Sequence, residues 1–127
     1  MKPTTPRPVF LNLLQIRLPL GGILSIIHRV TGVLLVLATP VFIYFLQLLN
    51  GGQDKYQQAL SLLNTVTGKI ILSLIIWTLI QHSMSGIRHL LMDLDFSYDK
   101  HIARKTAVAA FAFSLVLIIV TGALIWL

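Results

Sequence analysis

Three stretches of this sequence carry no charged side chain at all: Val30 to Gln53, Ile70 to Ile87, and Thr106 to Leu127. Each is close to or longer than the roughly 18–20 apolar residues that cross a hydrocarbon core about 30 Å thick. A chain of 127 residues with three such runs has little length left for anything else. Composition agrees: 56% of residues are hydrophobic and 11% charged, against roughly a quarter charged in soluble domains. Too few charges remain to cover a water-facing surface, which argues against a soluble helical bundle. The expected fold is all-α and integral to a membrane, one domain over residues 1–127 with three transmembrane helices.

Turn chemistry sets the expected boundaries. Residues 1–22 are basic and broken by prolines. Their middle, Val9 to Leu20, is apolar but interrupted by Asn12, Gln15 and Arg17, as suits an N-terminal segment lying at the membrane interface. No long apolar run follows the first positive charges directly, so no removable signal peptide is read. Pro19 and Gly21-Gly22 separate this segment from helix I, expected over 23–49 and stopped by Asn50-Gly51-Gly52. Pro40 inside helix I predicts a kink. A polar connection from Gln53 to Asn64 leads to helix II over 66–92. Asp93, Asp95, Ser97 and Asp99 form a short acidic loop before helix III over 103–127.

The basic residues give an orientation. Lys2, Arg7, Arg17 and Arg29 precede or open helix I, and Arg88, Lys100, Arg104 and Lys105 cluster between helices II and III. The connection between helices I and II has Lys55 and Lys69 alone, and the C-terminus has none. Lysine and arginine hold loops on the cytoplasmic side, so the N-terminus is expected inside and the C-terminus outside. The net charge of +6 is read as this asymmetry rather than as a nucleic-acid footprint. The absence of cysteine excludes cysteine-ligated iron–sulfur clusters, thiolate nucleophiles and covalent haem attachment by a Cys-x-x-Cys-His motif.

Ionisable residues inside a membrane span are costly and point to function. His82 stands within helix II, about 11 residues from Asp93 or roughly 16 Å at 1.5 Å per residue, near mid-bilayer. Neutral imidazole is an axial ligand for haem iron. Ser85 and Gly86, one turn along, are small enough to let a flat macrocycle approach the backbone. The alternative is a histidine bonded to a polar group on a neighbouring helix, and the local pattern leaves both open. His89, seven residues on and beside Arg88, shares the His82 face but lies towards the cytoplasmic end. It reads as an interfacial residue or hydrogen-bond donor rather than a second iron ligand.

Ser25, His28 and Arg29 stand at i, i+3 and i+4 and so share one face of helix I. Snorkelling with a cap is the plainer reading. An arginine beside a serine also suits a haem propionate and a quinone carbonyl. Because His28 opens its helix while His82 is near the midplane, the two are expected at different depths. A second axial ligand for His82 is therefore expected from a different chain.

Two motifs make the chain resemble the cytochrome b membrane-anchor subunits of succinate dehydrogenase (succinate:quinone oxidoreductase, complex II) of the bacterial type. Arg7-Pro8 followed by Ser25-Ile26-Ile27-His28-Arg29-Val30-Thr31-Gly32 is similar to the family's Arg-Pro and Ser-x-x-His-Arg-x-Ser/Thr-Gly. His82-Ser83-Met84-Ser85-Gly86-Ile87-Arg88-His89, ending at Asp93, is similar to its His-x-x-x-Gly-Ile-Arg-His-and-Asp pattern. One departure is Asp95, where the family often has a small residue such as glycine. The resemblance implies His82 as an axial ligand of haem b, Ser25 and Arg29 at a ubiquinone site, and His28, Arg29 and His89 near the haem propionates. Arg88 and Asp93 would support the cytoplasmic face.

It also implies partners: a second small membrane subunit supplying the other histidine, an iron–sulfur subunit, and a flavoprotein that oxidises succinate. The setting would be the bacterial inner membrane. On this reading the chain catalyses nothing alone. Two rivals are a fumarate reductase anchor, which runs the same architecture in reverse, and a structural membrane subunit without haem. A proton channel would want a polar pore, and helix III offers little beyond Ser114 and Thr121.

Overall fold

The computed structural model describes residues 18–94 and 99–127. The Arg7-Pro8 pair, the interfacial segment as far as Arg17, and the loop residues Asp95 and Ser97 lie outside this range. Four helices follow in order: α1 (Leu20–Leu49), α2 (Gln53–Leu63), α3 (Val66–Asp93) and α4 (Lys100–Trp126). Among the described residues there is no strand. Three of the helices, α1, α3 and α4, are long and apolar enough to cross a membrane.

α1 starts at Leu20, three residues before the expected Ile23, and Gly21-Gly22 lie inside it. Pro19 is the reason. Its extended backbone (φ −65°, ψ 155°) forms the N-cap, and its carbonyl accepts from the Gly22 and Ile23 amides at 2.9 and 3.2 Å. A helix start has no use for the amide that proline lacks. The helix is then unbroken through Pro40. The Thr39 hydroxyl donates to the Leu35 carbonyl at 3.1 Å, next to the carbonyl that Pro40 leaves free. The chain reverses at Gly52, whose φ of +94° is a conformation that side chains disfavour.

The connection expected over Gln53–Asn64 is a helix in the structure, and this corrects the reading of it as a polar link. Tyr56, Ala59, Leu60 and Leu63 recur at i, i+3, i+4 and i+7, which places a narrow apolar stripe on one side of α2. Ala59 is fully buried, and α2 packs on both α1 and α3. α3 is capped by Thr65, whose hydroxyl accepts from the Gly68 amide at 3.0 Å. α4 is capped by Asp99, whose carboxylate accepts from the His101 amide at 2.9 Å.

α3 is the central element, packed against both α1 and α4, while α1 and α4 touch each other less. The outer faces are apolar, with Val36 71% and Leu124 78% exposed. Such surfaces are a liability in water and ordinary in lipid. Inside, the pattern inverts: Thr31, Thr78, Gln81, Ser85, Arg88 and Ser114 are all buried. Lipid offers no hydrophobic drive to bring helices together, so small and polar side chains supply the contacts. The Ser114 hydroxyl donates to Gln81 Oε1 at 2.8 Å, and Gln81 Nε2 donates to the Ser85 hydroxyl at 3.2 Å, tying α4 to α3. At the far end of the bundle Trp126 Nε1 donates to Ser73 Oγ at 3.1 Å, and Lys69 Nζ lies 5.8 Å from the Trp126 ring centre, within cation–π range.

Candidate functional site

α1 and α3 run antiparallel and bring two histidine-bearing faces together. On α3, His82 and His89 are seven residues apart, which leaves them on one face about 10.5 Å apart along the axis. The single imidazole of α1 fits between them. The His28 ring stacks on His82 with centroids 4.2 Å apart and planes 19° from parallel. It stacks on His89 at 5.1 Å and 21°.

Two glycines make this approach possible. A Cβ on Gly32 would stand 3.1 Å from His82 Cε1, and one on Gly86 would stand 3.3 Å from His28 Nε2. Each imidazole therefore occupies a notch on the opposite helix.

This arrangement corrects the expected mismatch in depth. His28 is eight residues into α1 from Leu20, roughly 12 Å, and lies level with the His82–His89 interval of α3. Because α1 starts at Leu20 and not at the expected Ile23, His28 lies inside the helix and not at its end. Ser85 needs correcting as well. It is fully buried, with its hydroxyl engaged by Gln81, so it faces the helix interface and not an approaching macrocycle. The Gly86 notch is filled by His28.

The hydrogen bonds select a tautomer. His82 Nδ1 lies 3.1 Å from the His28 carbonyl oxygen and 3.3 Å from Thr31 Oγ1. A carbonyl can only accept, so Nδ1 carries a hydrogen, and in the neutral ring the lone pair is then on Nε2. The Thr31 hydroxyl spends its own hydrogen on the Ile27 or His28 carbonyl, at 2.8 and 3.0 Å, which leaves its oxygen free to accept. His89 is fixed the same way, with Nδ1 2.7 Å from the Ser85 carbonyl. In the neutral rings of both α3 histidines Nε2 is thus the nitrogen with the lone pair.

The remaining candidates divide. Ser25 is half-buried and Arg29 exposed on the α1 face that bears His28. Asp93 is exposed at the last turn of α3. Arg88 does not join the histidines. It is 5% exposed and belongs to the buried stripe of Thr78, Gln81, Ser85 and Arg88 along α3. Its Nη2 donates to the Ala103 carbonyl of α4 at 3.3 Å, and a Cβ on Gly21 would stand 3.2 Å from the same nitrogen. Its Nε has no partner among the described residues.

Sequence reasoning passed over Thr31, Gly32, Gln81 and Ser114 as parts of this centre. Thr31 and Gly32 lie within the quoted motif, and Gln81 is a polar residue mid-span, so the signal was present. Ser114 is an isolated hydroxyl in an apolar run, which carries no such signal.

Three spanning helices with an imidazole stack between two of them define a multi-pass membrane subunit. The chain matches the family model described as "Succinate dehydrogenase/Fumarate reductase transmembrane subunit" over residues 3–121, and it belongs to that family. It is 33% identical over 121 residues to a succinate dehydrogenase cytochrome b556 subunit of Coxiella burnetii, covering 94% of this chain and 97% of the relative. It is 32% identical over 115 residues to the subunit of that name in Paracoccus denitrificans, covering 91% of this chain and 88% of the relative.

Proposed function

We propose that this chain is the haem-b-bearing membrane anchor of a bacterial succinate:ubiquinone oxidoreductase, with His82 as one axial ligand. The observation that carries the reading is His82 Nδ1 held 3.1 Å from the His28 carbonyl oxygen. That bond leaves Nε2 as a ligand and fixes the ring, an arrangement shared by metal-bound histidines. No group of three or more His, Cys, Asp or Glu among the described residues suits a bare ion. A single imidazole ligand suits an iron already held by a macrocycle. His82 Nε2 is the nitrogen that would hold the haem iron, its ring fixed from the other side by the His28 carbonyl.

His28 is not the opposite ligand. Its ring is stacked face to face on His82 at 4.2 Å, with no room for a macrocycle between them. A second axial imidazole would then come from another membrane subunit, a reading that the stacking of His28 on His82 supports. When bound, haem supplies a one-electron redox centre tuned by its ligands and low-dielectric surroundings.

The other side chains bind and orient. Arg29 offers a fork of donors to a propionate and to the quinone headgroup, and Ser25, one turn earlier on the same face, donates a hydrogen bond to a quinone carbonyl. His28 and His89 line the propionate side, with Arg88 and Asp93 at the cytoplasmic end of α3. In the whole complex a flavoprotein oxidises succinate to fumarate. An iron–sulfur subunit, docked on the cytoplasmic face, delivers the electrons to ubiquinone. The N-terminus is cytoplasmic and the C-terminus periplasmic. A fumarate reductase anchor shares this architecture and differs in direction.

The test is to purify the complex through a tag on this chain and assay succinate-dependent ubiquinone reduction. Co-purification of flavoprotein and iron–sulfur subunits with such activity supports the reading. A chain that isolates alone, without activity in membranes, contradicts it.

A further inference from the structure

On the outer side of α4, His101, Arg104, Lys105, Val108 and Ala109 line a shallow groove of about 350 Å³. They recur at i, i+3, i+4, i+7 and i+8 and are all exposed. This is the face opposite Ala107 and Ser114, the residues α4 buries within the bundle. The nearby acid Asp99 is turned to the His101 backbone amide. Beyond Ala109 the same face continues as Ala112, Leu115 and Ile119, with Leu115 49% and Ile119 62% exposed. From Lys105 to Ile119 the track is about 21 Å long, more than the roughly 15 Å depth of one leaflet's hydrocarbon.

A cationic cup leading directly onto an apolar track of that length matches one kind of molecule. We infer that this face of α4 is a binding site for an anionic phospholipid, its phosphodiester held by His101, Arg104 and Lys105 and an acyl chain laid along Val108, Ala112, Leu115 and Ile119. Basic clusters at cytoplasmic helix ends attract anionic headgroups, and here the step from charge to hydrocarbon is built into one helix face. A soluble anion would have no use for the track. A water-soluble subunit would cover the helix end and not a face running into the bilayer. The inference rests on the cytoplasmic placement of the α4 start and not on the haem or quinone assignments.

The experiment uses the intact detergent-purified complex, delipidated and titrated with phosphatidylglycerol or phosphatidylcholine, with bound lipid read by native mass spectrometry. Wild type is compared with His101→Gln/Arg104→Gln/Lys105→Gln. The expected result is selective retention of phosphatidylglycerol by wild type and an affinity about thirtyfold lower in the variant. Subunit composition and haem spectrum should match wild type, which separates failure here from failure of the proposed function. Equal retention by both proteins overturns the inference. So does displacement of the lipid by millimolar inorganic phosphate, which marks a soluble-anion site, or loss of the iron–sulfur subunit from the variant, which marks a docking surface.

Discussion

The imidazoles of His28 and His82, 54 residues apart in sequence, stack at 4.2 Å between α1 and α3, and the His82 Nδ1 reaches the His28 carbonyl at 3.1 Å. One residue thus supports the proposed haem ligand twice, by its ring and by its backbone. A side-chain substitution at His28 removes the first support and keeps the second. His28→Ala is therefore expected to retain haem while loosening the orientation of the His82 ring. Electron paramagnetic resonance of the oxidised complex should show a broadened or shifted low-spin signal. Complete loss of the signal would show that His28 does more than orient.

Thr31 is the second acceptor for the His82 Nδ1 proton. Thr31→Val removes the oxygen at nearly constant volume and leaves the carbonyl. Hydrogen bonds that orient metal-bound histidines are worth roughly 10- to 100-fold in affinity, and with one acceptor remaining the loss should be near tenfold. Haem dissociation from the purified complex, followed by transfer to an apo-globin acceptor, measures it.

The notches at Gly32 and Gly86 make a steric prediction. Gly32→Val or Gly86→Val pushes a side chain into an imidazole on the facing helix, where even a Cβ stands at 3.1 or 3.3 Å. Overpacking of this kind costs about 1–3 kcal/mol. Both variants should lower haem content and thermal stability together, whereas Gly122→Ala, which meets nothing within 4 Å, should change neither.

The Ser114–Gln81 bond offers a test of the α3–α4 clasp. Interhelical hydrogen bonds in membranes average about 0.6 kcal/mol and reach about 1.7. Ser114→Ala leaves a buried amide oxygen without its donor, so it should destabilise the complex towards the upper end of that range. Adding Gln81→Leu removes the stranded group and should recover part of the loss. Thermal denaturation of the two purified variants distinguishes them.

Arg29 and Ser25 make a kinetic prediction. A hydrogen bond to a charged group contributes about 1.5–3 kcal/mol, so Arg29→Gln should lower kcat/KM for ubiquinone by roughly ten- to a hundredfold. Ser25→Ala should lower it less. Both should keep a reducible haem, which separates a quinone role from general damage.

How much of this was legible in the sequence follows from what each signal measures. Charge-free runs report hydrocarbon-spanning length directly, so the three spans were readable. α2 was hidden because most of its residues are polar and its apolar stripe is one residue wide. The level of His28 is not legible because a Gly-Gly pair ordinarily breaks a helix, while here Pro19 caps the helix ahead of Gly21-Gly22 and Gly21 lies against Arg88. Periodicity put His82 and His89 on one face, yet it carries no register between helices, so the His28 ring between them was invisible. Arg88 stood in the recognised motif as a cytoplasmic-face residue. That it is buried against Ala103 depends on where α4 packs, which no local pattern encodes.

The central claim is that His82 Nε2 ligates haem, and the most direct measurement is the reduced-minus-oxidised absorption spectrum of the purified complex, wild type beside His82→Tyr. The account predicts a b-type band in wild type that is lost or converted in the variant, with His89→Ala retaining it. An unchanged band in His82→Tyr, or no band in wild type, would contradict it.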